Sequence, residues 1–140
     1  MSKAINGVVT KERPEFRNIH VTDIARYRMP LAAFVSILHR VSGVLLFLLL
    51  PFILYLLDSS LTSEISFDYF KGFTSGWFVK LLILALAWSY LHHFCAGVRH
   101  LIMDTHVGLD KDSARKSAVS VLVVSLFLAA LVALKLFGVF

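Results

Sequence analysis

Three apolar stretches organise the chain, from Leu31 to Leu57, from Trp77 to Val98 and from Ser117 to Leu134, with polar segments between them. Each supplies the ~20 residues that a helix rising about 1.5 Å per residue needs to cross a hydrocarbon layer about 30 Å thick. The pattern predicts an all-α membrane protein whose three transmembrane helices run about 31–57, 77–103 and 117–138, within a membrane domain of residues 31–140. Residues 1–30 are polar and hold Pro14 and Pro30; they read as an N-terminal arm ending where Pro30 opens the first helix, a position that tolerates a missing N–H. Residues 58–76 read as an acidic, Ser/Thr-rich loop in which Ser66–Phe73 predicts a short interfacial helix, and residues 105–115 as a polar loop around Gly108.

Composition and charge narrow the class. Apolar residues make up 58% of the chain and charged residues 16%, against about a quarter charged in a soluble domain. A soluble fold would have little left to face water. The segment before the first helix carries Lys3, Lys11, Arg13, Arg17, Arg26 and Arg28, and the region from Arg99 to Lys116 carries Arg99, Lys111, Arg115 and Lys116. The other connection holds only Lys71, with Lys80 just inside the second helix, and the C-terminal end only Lys135. The positive-inside rule then places the N-terminus in the cytoplasm and the C-terminus outside. The net charge of +5 is topological bias, which removes nucleic acid as an expected partner. Because a polar arm precedes the first apolar stretch and no small-residue cleavage site follows it, the mature chain is expected to begin near Met1.

Two polar clusters interrupt the apolar pattern: Ser36-Ile-Leu-His39-Arg40-Val-Ser42-Gly43 and His93-Phe-Cys95-Ala-Gly97-Val-Arg99-His100-Leu-Ile-Met-Asp104. Ionisable side chains are costly in lipid and face a bundle interior, a cavity or a cofactor. Ser36, His39, Arg40 and Gly43 share one helical face, as do His93, Gly97, His100 and Asp104. With the topology above, both faces fall in the cytoplasmic half of the membrane and can meet.

A neutral imidazole can bind iron through one nitrogen while the other donates a hydrogen bond, so His93 is a candidate axial ligand, with Gly97 leaving room for a flat macrocycle or another helix. Proton relay and helix contact are the other roles open to an intramembrane histidine. Arg40 and Arg99 offer rigid forks of N–H donors for a haem propionate or a quinone carbonyl; for Arg99, at the end of its helix, snorkelling to headgroups competes with that role. The single cysteine, Cys95, excludes an internal disulfide and a CxxCH haem-attachment box, and reads as a small helix residue.

These two boxes, S-x-x-H-R-x-[ST]-G and H-x-x-x-G-x-R-H-x-x-x-D, together resemble the cytochrome b membrane-anchor subunit of succinate dehydrogenase, respiratory complex II. The resemblance covers about residues 13 to 104; the third helix matches by hydropathy only. It implies that His93 is an axial ligand of haem b, shared with a second small membrane subunit in a heteromeric helix bundle. It also implies that Ser36 and Arg40 help form the ubiquinone site, with His39 and His100 near the haem propionates or the quinone pocket. His92 adjoins the ligand position, but only His93 has the glycine four residues on. An iron-sulfur subunit and a flavoprotein subunit would complete a succinate:ubiquinone oxidoreductase of the tricarboxylic acid cycle in a bacterial inner membrane, with lipid around the helices. One departure is the arm: many members carry Ser-Pro-His after the Arg-Pro, where this chain has Arg13-Pro14-Glu15-Phe16-Arg17. A small non-redox transport subunit, with the buried His and Arg lining a polar pathway and no haem absorbance, and a haem-free anchor are the alternatives; the anchor has no need of the full His93–Asp104 box.

Overall fold

The computed structural model describes residues 20–138, and the Arg13-Pro14 segment of the arm lies outside them. Six helices follow in order: α1 (Val21–Arg26), α2 (Leu31–Leu48), α3 (Leu50–Leu61), α4 (Glu64–Ser75), α5 (Trp77–Asp104) and α6 (Lys111–Leu136). The described residues form no strand. Only α2, α5 and α6 are long and apolar enough to span a membrane; α5 and α6 are roughly 40 Å long at 1.5 Å per residue, so their ends project beyond the hydrocarbon layer.

The first apolar stretch differs from the single helix expected over 31–57. It breaks at Leu49 (φ −92°, ψ 3°), and α3 carries the chain on to Leu61. Pro51 is the cause: without an N–H it cannot donate to the carbonyl one turn back, and its ring disfavours a continuous helix. Leu49 still donates to the Leu45 carbonyl and Ile53 to that of Leu49, both at 3.0 Å, so the interruption is local.

Side-chain caps explain other boundaries. Ser63 opens α4 with a reciprocal capping box to Ser66, which extends the predicted Ser66–Phe73 helix to Glu64–Ser75. Asp110 caps α6 by accepting from the Ser113 N–H at 3.0 Å, starting that helix ahead of the apolar run at Ser117. Those hydrogen bonds hold the Asp110 carboxyl below its usual value. The turn before it uses positive φ at His106 (64°) and Gly108 (72°).

Helices α2, α5 and α6 pack against one another, and α3 and α4 pack beside them. Their common core is Val35, Ala96, Ala118 and Val121, joined by the buried serines Ser42, Ser89 and Ser125. Small residues suit this core, since helices in lipid gain little from hiding apolar surface and associate by close backbone approach and interhelical hydrogen bonds. Large apolar side chains point outward instead, Phe47 and Phe78 each 75% exposed, as a lipid- or partner-facing surface requires.

Candidate functional site

The period of α5 sorts its polar residues onto two faces. Ser89, His92, Ala96 and Arg99 are buried; they recur at i, i+3, i+7 and i+10, the stripe that packs on the chain's own helices. His93, Gly97 and His100 lie on the adjacent stripe, toward α2.

There the two polar faces predicted from sequence come together. The His93 ring stacks on the His39 ring with centroids 4.1 Å apart and planes 16° apart, and His100 lies 5.1 Å from His39. Gly43 is what lets α2 approach: a Cβ added there would sit 2.9 Å from His93 Cε1. Gly97 faces His39, with His39 Nε2 3.6 Å from the equivalent position.

Hydrogen bonding fixes the His93 tautomer. Its Nδ1 lies 3.0 Å from the His39 carbonyl, which can only accept, so Nδ1 carries the proton. The Ser42 hydroxyl donates to the same carbonyl at 2.8 Å and turns its lone pairs toward Nδ1 at 3.3 Å. Nε2 is left as the lone-pair nitrogen of a half-buried ring. That donor set fits an axial ligand whose second nitrogen is anchored on a backbone carbonyl.

His92 is built differently. Its ring is fully buried and stacks on Trp88 at 5.5 Å; Nδ1 lies 3.4 Å from the Ser125 hydroxyl of α6. Its Nε2 has no hydrogen-bond partner among the described residues. A ring enclosed by α2, α5 and α6 cannot reach a group shared with another chain, so His92 belongs to helix packing.

The other candidate residues separate. Ser36 is half-buried and Arg40 exposed on α2, one residue beyond His39, and Asp104 is exposed at the end of α5. Arg99 is turned away from the histidines: only 6% exposed, it donates through Nε to the Ser117 hydroxyl at 3.0 Å and through Nη2 to the Ala114 carbonyl at 3.4 Å. It does not join the His39–His93–His100 cluster. Its position i+7 from His92 assigns it to the buried stripe, a relation present in the sequence but hidden by attention to the glycine-marked face. Ser42, Gly43, Ser117 and Ser125 also gained no role from the sequence; the small residues recurring within apolar helices were the available signal.

Comparison with known proteins bears on the whole chain. Residues 10–132 match the family model described as succinate dehydrogenase/fumarate reductase transmembrane subunit. The succinate dehydrogenase cytochrome b556 subunit of Coxiella burnetii is 37% identical over 105 residues, 74% of this chain and 83% of the relative. The proteins of the same name from Paracoccus denitrificans (32% over 105 residues, 75% and 81%) and Rickettsia felis (27% over 125 residues, 88% and 98%) are similar across comparable spans. The chain belongs to the succinate dehydrogenase/fumarate reductase transmembrane subunit family, as a cytochrome b anchor subunit of complex II.

Proposed function

We propose that this chain holds one side of a haem b through His93 Nε2 and, with a second small membrane subunit supplying the opposite ligand, anchors the iron-sulfur and flavoprotein subunits of a succinate:ubiquinone oxidoreductase. One observation carries the reading: His93 Nδ1 is tied to the His39 carbonyl at 3.0 Å, which leaves Nε2 as the lone-pair nitrogen. The cytochrome b556 names of the relatives support haem b as the occupant.

When bound, the haem supplies a one-electron centre within the membrane. The chain's residues do the rest. Gly43 and Ser42 hold the His93 ring in one rotamer and tautomer, which sets the direction of the Nε2 lone pair. His39 and His100 lie beside that ring, where their N–H groups can reach carboxylates at the edge of a macrocycle. Ser36 and Arg40 sit one turn apart at the cytoplasmic end of α2; their hydroxyl and guanidinium donors would bind and polarise the ubiquinone carbonyls as negative charge builds on them, with water or a partner residue delivering protons. A cytoplasmic N-terminus would put this end of the bundle against the soluble electron-donating subunits, in the inner membrane of a bacterium.

A reduced-minus-oxidised spectrum of the purified complex tests the reading. A b-type haem is expected at one per copy of this chain; a complex of full subunit composition without haem would contradict it and favour a haem-free anchor.

A further inference from the structure

Arg99 raises a question that the His93 site leaves unanswered. A guanidinium 94% removed from solvent inside a membrane protein needs a counter-charge, yet its hydrogen-bond partners are neutral, the Ser117 hydroxyl and the Ala114 carbonyl. No carboxylate pairs with it among the described residues. Its deep placement comes with an open flank: Arg99 lines a groove of about 540 Å³ between α5 and α6.

The groove is graded along the membrane normal. Ile102, Met103, Val107 and Gly108 line its shallowest part; Arg99 and Ser117 come next, five residues from the end of α5 and six from the start of α6, each roughly 8–9 Å in at 1.5 Å per residue. Val98 lies level with Ser117, and Phe94, Val121 and Val124 stand deeper, roughly 15–20 Å from those helix ends. A single positive charge thus sits near headgroup depth with an apolar channel leading from it toward the bilayer centre.

We propose that this groove binds one anionic phospholipid, its phosphate on the Arg99 N–H groups not taken by Ser117 and Ala114 and one acyl chain along Phe94, Val98, Val121 and Val124. The lipid supplies the counter-charge that the protein lacks and fills the cleft between α5 and α6. A helix from another subunit fits less well, since it would need a carboxylate at Arg99 depth. The site rests on the membrane-spanning fold alone, independent of the haem and quinone assignments.

The test uses the whole detergent-purified complex, stripped of lipid and titrated with phosphatidylglycerol or phosphatidylcholine while bound lipid is counted by native mass spectrometry. The parental complex should retain phosphatidylglycerol at least about tenfold more tightly than phosphatidylcholine, as a charge-assisted hydrogen bond allows. Arg99→Gln should abolish that preference. Val124→Trp, which fills the groove from its exposed rim and leaves Arg99 in place, should lower retention of both lipids and so decides the matter even if Arg99→Gln fails to assemble. A phosphatidylglycerol with a photoreactive acyl chain should label the Phe94–Val98 and Val121–Val124 segments. Equal retention of the two lipids by the parental complex, unchanged retention in Val124→Trp, or labelling elsewhere would overturn the proposal, as would a cross-link from position 124 to a partner polypeptide.

Discussion

Replacing Gly43 by alanine is the sharpest perturbation of the His93 site, because it adds one methyl group and removes nothing. That carbon would lie 2.9 Å from His93 Cε1 and 3.3 Å from Nδ1. Relief to an ordinary contact near 3.5 Å requires a shift of roughly half an ångström, since dispersion contacts are optimal at about 3.5–4.0 Å. The ring has little freedom to give it: its Nδ1 is bonded to the His39 carbonyl at 3.0 Å and its face is stacked on His39 at 4.1 Å. Overpacking of this kind costs about 1–3 kcal/mol, and a midpoint of ~2 kcal/mol corresponds to a factor of about 30 in the equilibrium between the parental ring position and any other. Gly43→Ala should therefore lower the haem-to-protein ratio of the purified complex, or alter the low-temperature electron paramagnetic resonance of the oxidised haem through a tilted imidazole. Gly72→Ala is the control: an added Cβ there meets nothing within 4 Å, and the exchange favours a helix by up to about 1 kcal/mol. Parental haem content, resonance and melting temperature in Gly43→Ala would refute the packing argument.

The remaining predictions address the other parts of the site. Ser42→Ala removes the 2.8 Å bond to the His39 carbonyl and the 3.3 Å contact to His93, and should cost about 1 kcal/mol, with haem retained and its midpoint potential shifted. Ser125→Ala removes the hydroxyl beside His92; it should lower the melting temperature of the complex and leave the haem spectrum unchanged. Arg40→Leu should sharply reduce ubiquinone reduction while succinate oxidation by an artificial dye survives, and Ser36→Ala should give a milder defect of the same kind; an unchanged quinone rate in an assembled Arg40 variant would move the quinone site elsewhere. A reporter after Phe140 should behave as periplasmic and one near Asp110 as cytoplasmic, and the opposite pattern would displace the proposed quinone site from its electron donors.

The sequence made the architecture legible because membrane crossing demands long apolar runs, and those runs predicted α2, α5 and α6. Hydropathy alone misses the break at Leu49, because Pro51 is apolar enough to sit within the run yet lacks the N–H a continuous helix needs. The helical period also brought the His39 and His93 faces together, since residues at i+3, i+4 and i+7 must align. Periodicity within one helix, however, does not tell which neighbour a stripe meets. That is why Gly43 beside His93, and Arg99 turned toward Ser117 rather than toward the histidines, emerged only with three-dimensional packing. Nor does spacing separate His92 from His93 on chemical grounds: adjacent residues differ by about 100° around a helix, and here that rotation divides an enclosed ring from an open one.

The division between His92 and His93 is open to a direct measurement. In the assembled complex, His93→Tyr and His92→Tyr should be compared by reduced-minus-oxidised absorption spectra together with haem-to-protein ratios. The structure predicts loss or alteration of the b-type bands in His93→Tyr. It predicts parental bands in whatever His92→Tyr complex assembles, the penalty there falling on stability. Bands that respond to His92 and ignore His93 would contradict the assignment.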